Sequence, residues 1–445
     1  MTVSVVAATV ARGGTQPVYD ISLSNRFRYE SDATGTDADF RPYASVYGHD
    51  LVDGHLDGRF SGALDLDTNG DDATDRAFNE SWPRVHEAAL DLHSYGALDH
   101  LVLGRQYLPR VDYLHFDGLS LSLCEKDRVG FFAFGGRPVS YCTPYTSNAG
   151  EWLAGGGGRV RPLPSTEIQA DAYGINDGGK DLLANAIRLS QSLGYGFSDS
   201  AEARWVDGGF SDLTARLYYM DPARYDVSTQ VYWQATQWGD DPSTRESRYF
   251  SLYSDFMQPA EDNVTLSLNG NRYLGQHYTL SAGAARKYIL DRDNEGGGNF
   301  TNIDTTRFNA GLSVRDLPTP GLTLGLFGTW DLHPDERFYD VTAEIGYTFT
   351  PRFQASCGVT HGQYEFSDWL PFRDRFGLRA PDERGGVQDS NLVFVEARYK
   401  LSSLWGVVLR TDYEQVDRLE DAYSISVRID YHFRTSPTKP AQPAK

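Results

Sequence analysis

Residues 422–433, AYSISVRIDYHF, form the stretch of sequence that decides the fold. Apolar and polar side chains alternate along it, and the apolar ones are Ile425, Val427, Ile429, Tyr431 and Phe433. Since successive side chains of a strand point to opposite faces, the stretch predicts a strand with one apolar and one polar face. Two folds fit such a strand. In a soluble sandwich the apolar face is a core, whereas in a membrane barrel it meets lipid and the polar face meets a water-filled interior.

The same two-faced pattern recurs through most of the chain, with residues 19–30 and 225–236 as clear examples. Counting the repeats predicts roughly 20 to 24 strands of about 8 to 12 residues, the length that a tilted strand needs to cross a bilayer. Most of them are linked as adjacent hairpins, and closure of such a series removes every sheet edge. The sequence therefore predicts an all-β fold, a single closed antiparallel transmembrane β-barrel with an even number of strands.

The connections between the strands support this prediction but leave one region unresolved. In the last third, short turns at 350–352 and 401–404 alternate with long charged loops at 291–304 and 361–390, as in outer-membrane barrels. Residues 140–158, which end in a run of four glycines, are predicted to be a flexible loop. A strand is also predicted at 250–256. Counting strands forward from the N-terminus and backward from the C-terminus then places the loop at 238–248 on opposite sides of the membrane. One strand between 155 and 278 is therefore misassigned.

No linker divides the chain, so we predict one domain with a short segment at each end. Residues 3–11, VSVVAATVA, resemble the end of a signal peptide and its cleavage site, without the basic segment that usually precedes them. An ordinary frayed terminus is the alternative. We assign residues 1–16 to a residual signal-like or periplasmic segment, 17–433 to the transmembrane barrel and 434–445 to a Pro-rich periplasmic tail.

Charge and cysteine content exclude some partners. The formal net charge of −20 argues against a nucleic-acid partner. An acidic solvated surface and a cation-attracting interior both explain it. Because the chain has no CxxCH motif, we expect no covalently bound haem. Cys124 and Cys142 could pair in an oxidising compartment, but their spacing does not decide this.

The polar faces of the predicted strands supply candidate residues for the wall of a lumen. They carry charges of both signs, which neighbouring strands can neutralise across a water-filled interior. The lumen-facing candidates are Arg26, Arg28, Glu30, Asp226, Gln230, Arg307, Asp340, Glu344, Glu396, Arg398, Lys400, Arg410, Asp412, Glu414, Arg428 and Asp430.

Together these features resemble the porin superfamily of Gram-negative outer membranes. The resemblance covers residues 19–433 and includes LVLGRQYLPRVDYLHFD at 101–117, which is similar to a Gly-Arg-Gln segment that recurs in such barrels. The closing strand ends on Phe433, although a tail follows it. The resemblance implies a location in the outer membrane of a Gram-negative bacterium, contact with its lipid, and passive passage of ions or small solutes through a polar lumen.

A barrel of this predicted width needs something inside it, since the bore grows with strand number. One option is an inward-folded loop, for which 140–158 and 361–390 are candidates; the second contains the constriction candidates Arg373, Asp374, Arg375 and Arg379. The acidic balance then predicts a channel that favours cations. The alternative is a barrel sheath that houses multihaem c-type cytochromes for electron transfer across the outer membrane, with haem bound by those partners.

We predict no catalytic residue and no enzyme activity. The densest histidine group, His86, His93, His100 and His115, lacks an accompanying Ser/His/Asp motif, so we interpret its members as polar wall or loop residues.

One weak metal motif is present. Asp65, Asp67 and Asn69, in the sequence DLDTNG, match the first half of a calcium loop. The twelfth position is Arg76 instead of a bidentate Glu, so an ordinary Asp/Asn/Gly turn competes with a calcium site here.

Overall fold

The computed structural model contains strands and turns in the part of the chain that it describes. Those residues are 17–32, 35–52, 54–64, 66–67, 83–108, 111, 114–139, 150–177, 180–235, 262–290, 304–332, 337–366, 386–416 and 421–435. Within these ranges, no helix is long and apolar enough to span a membrane.

Twenty-three β-segments follow one another through the described ranges, and most have alternating side chains of the kind described above. They are β1 Val18–Asp32, β2 Gly35–His49, β3 Leu56–Leu64, β4 Leu66–Asp67, β5 Pro83–Tyr95, β6 Leu98–Leu108, β7 Leu114–Leu123, β8 Val129–Pro138, β9 Trp152–Leu163, β10 Thr166–Asp177, β11 Lys180–Gly194, β12 Phe197–Val206, β13 Gly209–Asp221, β14 Tyr225–Gln234, β15 Asn263–Leu274, β16 Tyr278–Ile289, β17 Thr305–Arg315, β18 Leu322–Leu332, β19 Arg337–Thr350, β20 Phe353–Phe366, β21 Gly386–Lys400, β22 Trp405–Val416 and β23 Ala422–Arg434.

The segments form one closed sheet. Each pairs antiparallel with its neighbours in the chain, except that β3 and β4 both pair with β2 and are two parts of one interrupted strand. The 23 segments therefore make 22 strands. The first strand pairs with the last, in a register that runs from Asp20 opposite Arg434 to Ser31 opposite Tyr423. The predicted closed antiparallel barrel with an even strand number is confirmed, and the sandwich is excluded because a single sheet contains every strand of the described ranges.

Neighbouring residues on one strand differ sharply in exposure, which shows which face points outward. Leu90 is 51% exposed and Asp91 is 1% exposed; Leu332 is 41% exposed and Asp331 is 6% exposed. In a closed barrel the inner face is the more enclosed one, so the apolar face points outward and the polar face inward. On the closing strand, Ile425 is 41% exposed on the outer face, and no second sheet among the described residues covers it.

Aromatic rings border the apolar outer band at both ends of the strands. We call the end that carries Val18 and Arg434 the termini end, and the opposite end the loop end. Ring pairs at the termini end are Trp405–Tyr431 and Phe197–Tyr219, and at the loop end Tyr29–Tyr423 and Phe210–Trp233. Tyr423 and Tyr431 bracket about 26 Å of strand at ~3.3 Å per residue, or roughly 20 Å of height after tilt. That height is close to the ~25 Å apolar band of outer-membrane barrels.

Connections at the two ends differ in length. The termini end has short turns, such as 164–165, 195–196, 351–352 and 401–404. Long connections, such as 68–82, 235–262, 290–304 and 367–385, all join strands at the loop end. The long connections thus lie at one end of the barrel, as the last third of the sequence predicts, although β1–β2, β10–β11 and β12–β13 are joined there by two residues each.

The predicted loop at 140–158 is partly wrong, because the run of four glycines belongs to strand β9. On the inner face, Gly155 lies between Phe134 and Tyr173, and a Cβ at this position would come 2.5 Å from Tyr173 Cβ. The glycines are thus used in a strand, where they give space to large neighbouring side chains. Residues 152–158 cannot serve as the predicted constriction loop, and residues 140–149 lie outside the described part of the chain.

Strand β9 also explains the miscount in the middle of the sequence. Strand β14 pairs directly with β15, from Tyr225 opposite Arg272 to Gln234 opposite Asn263. The strand predicted at 250–256 therefore does not lie between them in the sheet, and those residues are outside the described ranges. The sequence count omitted β9 and included the strand at 250–256, so the total number of strands was unaffected. The two errors nevertheless assigned the loops between them to the wrong end of the barrel.

Lipid contact at the closing strand can be tested with Val427→Arg. Val427 lies midway between Tyr423 and Tyr431 and pairs with Phe27 and Leu409 on the outer face. We expect the substitution to lower the free energy of unfolding in lipid vesicles by about 2–4 kcal/mol, the cost of an arginine at the bilayer midplane. Denaturant titration measures this change. Ser424→Arg, on the inner face of the same strand and opposite Glu30 and Asp412, is the control and should cost less than about 1 kcal/mol.

The steric role of the glycine strand can be tested with Gly155→Ala. The new methyl would lie 2.6 Å from the Ala172 carbonyl oxygen and 2.7 Å from Phe134 Cζ. Since neither the backbone nor a packed ring can move freely, we expect a loss of roughly 1–3 kcal/mol in unfolding free energy. The matched control is Gly135→Ala on β8, whose new methyl would lie no nearer than 3.6 Å to any atom. Equal losses for both variants would contradict the packing argument.

Candidate functional site

The inner wall of the barrel is the candidate site, and strand alternation places the predicted lumen residues on it. The residues on this face are Arg26, Arg28, Glu30, Asp226, Gln230, Arg307, Asp340, Glu344, Glu396, Arg398, Lys400, Arg410, Asp412, Glu414, Arg428 and Asp430. Cross-strand register brings several of them together, with Glu396 opposite Arg410 and Arg26 opposite Arg428. The part that these residues take in solute passage stays a prediction.

Around the seam where β1 meets β23, the wall carries pairs of opposite charge two residues apart. Residues i and i+2 of a strand share a face, so each pair can form a salt bridge along its own strand. The pairs and their N–O distances are Arg28–Glu30 at 2.6 Å, Arg398–Glu396 at 2.5 Å, Arg410–Asp412 at 2.7 Å and Arg428–Asp430 at 2.9 Å. Such partly exposed salt bridges add little to the stability of the barrel, but they hold charged side chains in defined positions on its solvent-accessible inner face.

A row of three arginines crosses the same seam. Arg26 stands opposite Arg41 of β2 and opposite Arg428 of β23. The row places three guanidinium groups side by side on the wall, and Arg428 among them is also paired with Asp430. Guanidinium groups bind carboxylates and phosphates with paired hydrogen bonds. The row can therefore contact an anionic group of a passing solute.

A second charged sector lies on β10–β13 and is more enclosed. Arg188 contacts the carboxylates of Asp171 and Glu202, the latter at 3.2 Å. Arg204 lies 3.7 Å from Glu202 and 2.9 Å from Asp212. The result is a chain of alternating charges across four strands. The Asp171 and Asp212 side chains are only 1% and 4% exposed, so this chain neutralises carboxylates that water barely reaches.

Apolar side chains fill the bore along β7–β11. The cluster contains Leu114, Phe116, Leu153, Tyr173 and Ile175, all on the inner face and at most 4% exposed. Val111, from the connection between β6 and β7, packs into it with no exposed surface. On the opposite part of the wall, inward residues are accessible: Phe327 is 39% exposed and the Arg307 side chain 60%. The interior is therefore filled on one side and open to solvent on the other.

The four histidines singled out in the sequence are wall residues on β5–β7, in two different settings. His100 contacts Asp91 at 3.0 Å, and His93 contacts Asp57 at 3.1 Å, both on the inner face. His115 is fully buried, stacks on Tyr107 with ring centroids 4.0 Å apart, and lies within hydrogen-bonding distance of the His86 carbonyl at 2.9 Å.

Other predicted sites fall outside the described residues or lack a described side chain. The constriction candidates Arg373, Asp374, Arg375 and Arg379 lie in 367–385, and of the calcium candidates Asp65, Asp67 and Asn69 only Asp67 is placed, in β4. Both sites stay predictions.

Two of the three cysteines can be described. Cys357 lies on the outer face opposite Ile345 and Val395. Cys124, in the turn after β7, is a free thiol, and desolvation together with nearby Asp127 raises its pKa. Cys142 is outside the described ranges.

The sequence analysis missed the enclosed charges of β10–β13, namely Asp171, Arg188, Glu202, Arg204 and Asp212. Their signal is a polar residue at every second position of a strand, as at Gln169, Asp171 and Tyr173. Small residues dilute this signal, since Ala184 and Ala186 occupy the inner face just before Arg188.

No family model matches the chain, and no curated protein matches it. Among solved structures, the chain is similar to Pseudomonas aeruginosa OpdQ, with 10% identity, 94% of this chain and 99% of that chain covered, and a TM-score of 0.44. OccK2 (OpdF) of the same organism is 11% identical, with 94% of this chain and 98% of that chain covered and a TM-score of 0.47. OprD, also of that organism, is 10% identical, with 94% of this chain and 96% of that chain covered and a TM-score of 0.42. These identities and TM-scores are too low to support an argument, so the fold is assigned from the strand pairing of this chain alone.

Proposed function

We propose that the protein is a porin-like channel in the outer membrane of a Gram-negative bacterium, which lets ions or small solutes pass without an energy source. The observation that carries this proposal is the contrast between the two faces of one closed sheet. Outside, the strands expose an apolar band bordered by aromatic rings. Inside, charged and polar side chains line a wall that is accessible along part of its circumference. Only a bilayer outside and water inside suit both faces.

The partial filling of the bore supports a selective channel. With strands ~4.8 Å apart and tilted by about 40°, 22 strands enclose a backbone diameter on the order of 40 Å. Barrels with that strand number are generally plugged, whereas porins of 16–18 strands are open. The apolar cluster around Phe116 and Tyr173 occupies one side and narrows the path to the remainder. A solute would then pass along the accessible charged wall.

The same filling weighs against the sheath for multihaem cytochromes. A sheath needs a bore that is free around its circumference to hold a folded partner, whereas the inward apolar side chains of β7–β11 are already buried. The sheath stays the alternative prediction, and the electrical measurement below separates the two functions. We propose no catalytic step for this wall.

Charge on the wall sets the expected selectivity. The acidic excess of the chain, −20 at pH 7, attracts cations to the protein. The row formed by Arg41, Arg26 and Arg428 opposes this preference locally and offers a contact for an anionic group of a solute.

The test is conductance of the refolded full chain in planar bilayers, after heat-modifiable migration on a gel has shown that it is folded. We expect steady conductance with a preference for cations. Arg26→Glu should increase that preference, seen as a shift of the reversal potential in a salt gradient, because it replaces the centre of the arginine row by a carboxylate.

The matched control is Arg272→Glu, which makes the same charge change on the outer face, where Arg272 lies over the ring of Tyr225. Its reversal potential should equal that of the unsubstituted protein. A folded barrel that conducts no ions would contradict the channel and favour the sheath.

A further inference from the structure

A cluster of metal-ligating side chains lies at the termini end of the barrel and includes the His93–Asp57 contact described above. It consists of Asp50, in the turn after β2, Asp57 on β3 and His93 on β5. Within the described ranges, this is the one group of three or more such residues whose ligand atoms all come within 4.8 Å of one another. Its most distant members, Asp50 and His93, are 43 residues apart in sequence, so only the folded sheet brings the three together.

The distances suit a bound ion. His93 Nε2 lies 3.1 Å from Asp57 Oδ1, and His49 Nδ1 lies 3.4 Å from the other oxygen of that carboxylate. Ligand atoms held 2.0–2.2 Å from a tetrahedral Zn²⁺ ion are about 3.3–3.6 Å apart. Small side-chain movements would therefore let the three ligands converge on one ion. His49 would then stay hydrogen-bonded to Asp57 and orient it, as outer partners of metal ligands do.

Backbone contacts hold the three ligands in place independently of any ion. The turn is closed by Leu51 N–H donating to Leu56 O at 2.7 Å and His55 N–H donating to Val52 O at 2.9 Å. Strand β5 is tied to this turn by His93 N–H, which donates to His55 O at 2.8 Å. Asp50 has a φ of 55°, a left-handed conformation that Asp adopts more readily than most residues. A site with such rigid supports needs little ordering when it binds an ion.

We propose that Asp50, Asp57 and His93 bind a divalent transition-metal ion of the Zn²⁺ type at the termini-end mouth of the barrel. Two carboxylates offset the charge of the ion, and the imidazole favours first-row transition metals over Mg²⁺ and Ca²⁺. Three protein ligands leave a position for water, which is typical of an exchangeable site. The Asp57 and His93 side chains are 14% and 18% exposed, so an ion can reach them from the interior. This site does not depend on the conduction proposed above.

The test is Zn²⁺ titration of the folded full chain by calorimetry, with Co²⁺ as a visible-absorption probe of an imidazole and carboxylate ligand set. We expect one Zn²⁺ per chain, a Co²⁺ spectrum that Zn²⁺ abolishes, and at least a tenfold loss of affinity in His93→Ala. His432→Ala is the matched control, since His432 is an inner-face histidine at the same end and lies 3.4 Å from Asp20. Its affinity should be unchanged.

Two results would overturn the proposal. One is a folded chain that binds no Zn²⁺, in which case Asp57 and His93 form a hydrogen bond alone. The other is an equal loss of affinity in His93→Ala and His432→Ala, which would indicate unspecific binding to histidines. If His93→Ala does not fold, Asp50→Asn in the turn replaces it, with the same tenfold loss expected and unchanged affinity overturning the site.

Discussion

Pairing between β1 and β23 is the interaction on which the rest of the structure depends. Without it, Val18–Asp32 and Ala422–Arg434 would each leave a row of unpaired backbone groups. In hydrocarbon each such group costs several kcal/mol, so an open sheet of this length could not remain in a bilayer. Closure also creates the enclosed face. Once the ends meet, alternation gives every strand an apolar side for lipid and a polar side for the interior.

The interior solves two problems that closure creates. Charges enclosed by the wall need partners, and the alternating chain from Asp171 through Arg188 to Asp212 supplies them across four strands. A bore of 22 strands is also wide, and the apolar cluster around Phe116 reduces it from one side. The accessible part of the wall keeps its charges where water screens them, as at Arg307. The interior is thus divided into a packed sector and a wet sector.

Sequence alone predicted the fold because alternation is a local property that every strand repeats. The prediction failed at β9, because Gly155 has no side chain to contribute to the alternating pattern. Glycine is required there by the close approach of Tyr173 on the neighbouring strand. The prediction placed Arg26 and Arg428 on the correct face but did not show that they stand opposite one another, since register joins residues some 400 positions apart. The cluster of Asp57 and His93 was invisible for the same reason. Faces can be read from one strand, but neighbours across strands require the folded sheet.

The most direct test of this account is spin labelling along the closing strand, with one nitroxide at a time on residues 424–429 of the chain in vesicles and the native cysteines replaced. Collision rates with oxygen, which concentrates in lipid, and with a water-soluble nickel chelate are measured at each site. We expect high oxygen and low nickel access at 425, 427 and 429, and the reverse at 424, 426 and 428. Equal access at neighbouring positions, or protection of the apolar positions from both reagents, would contradict it.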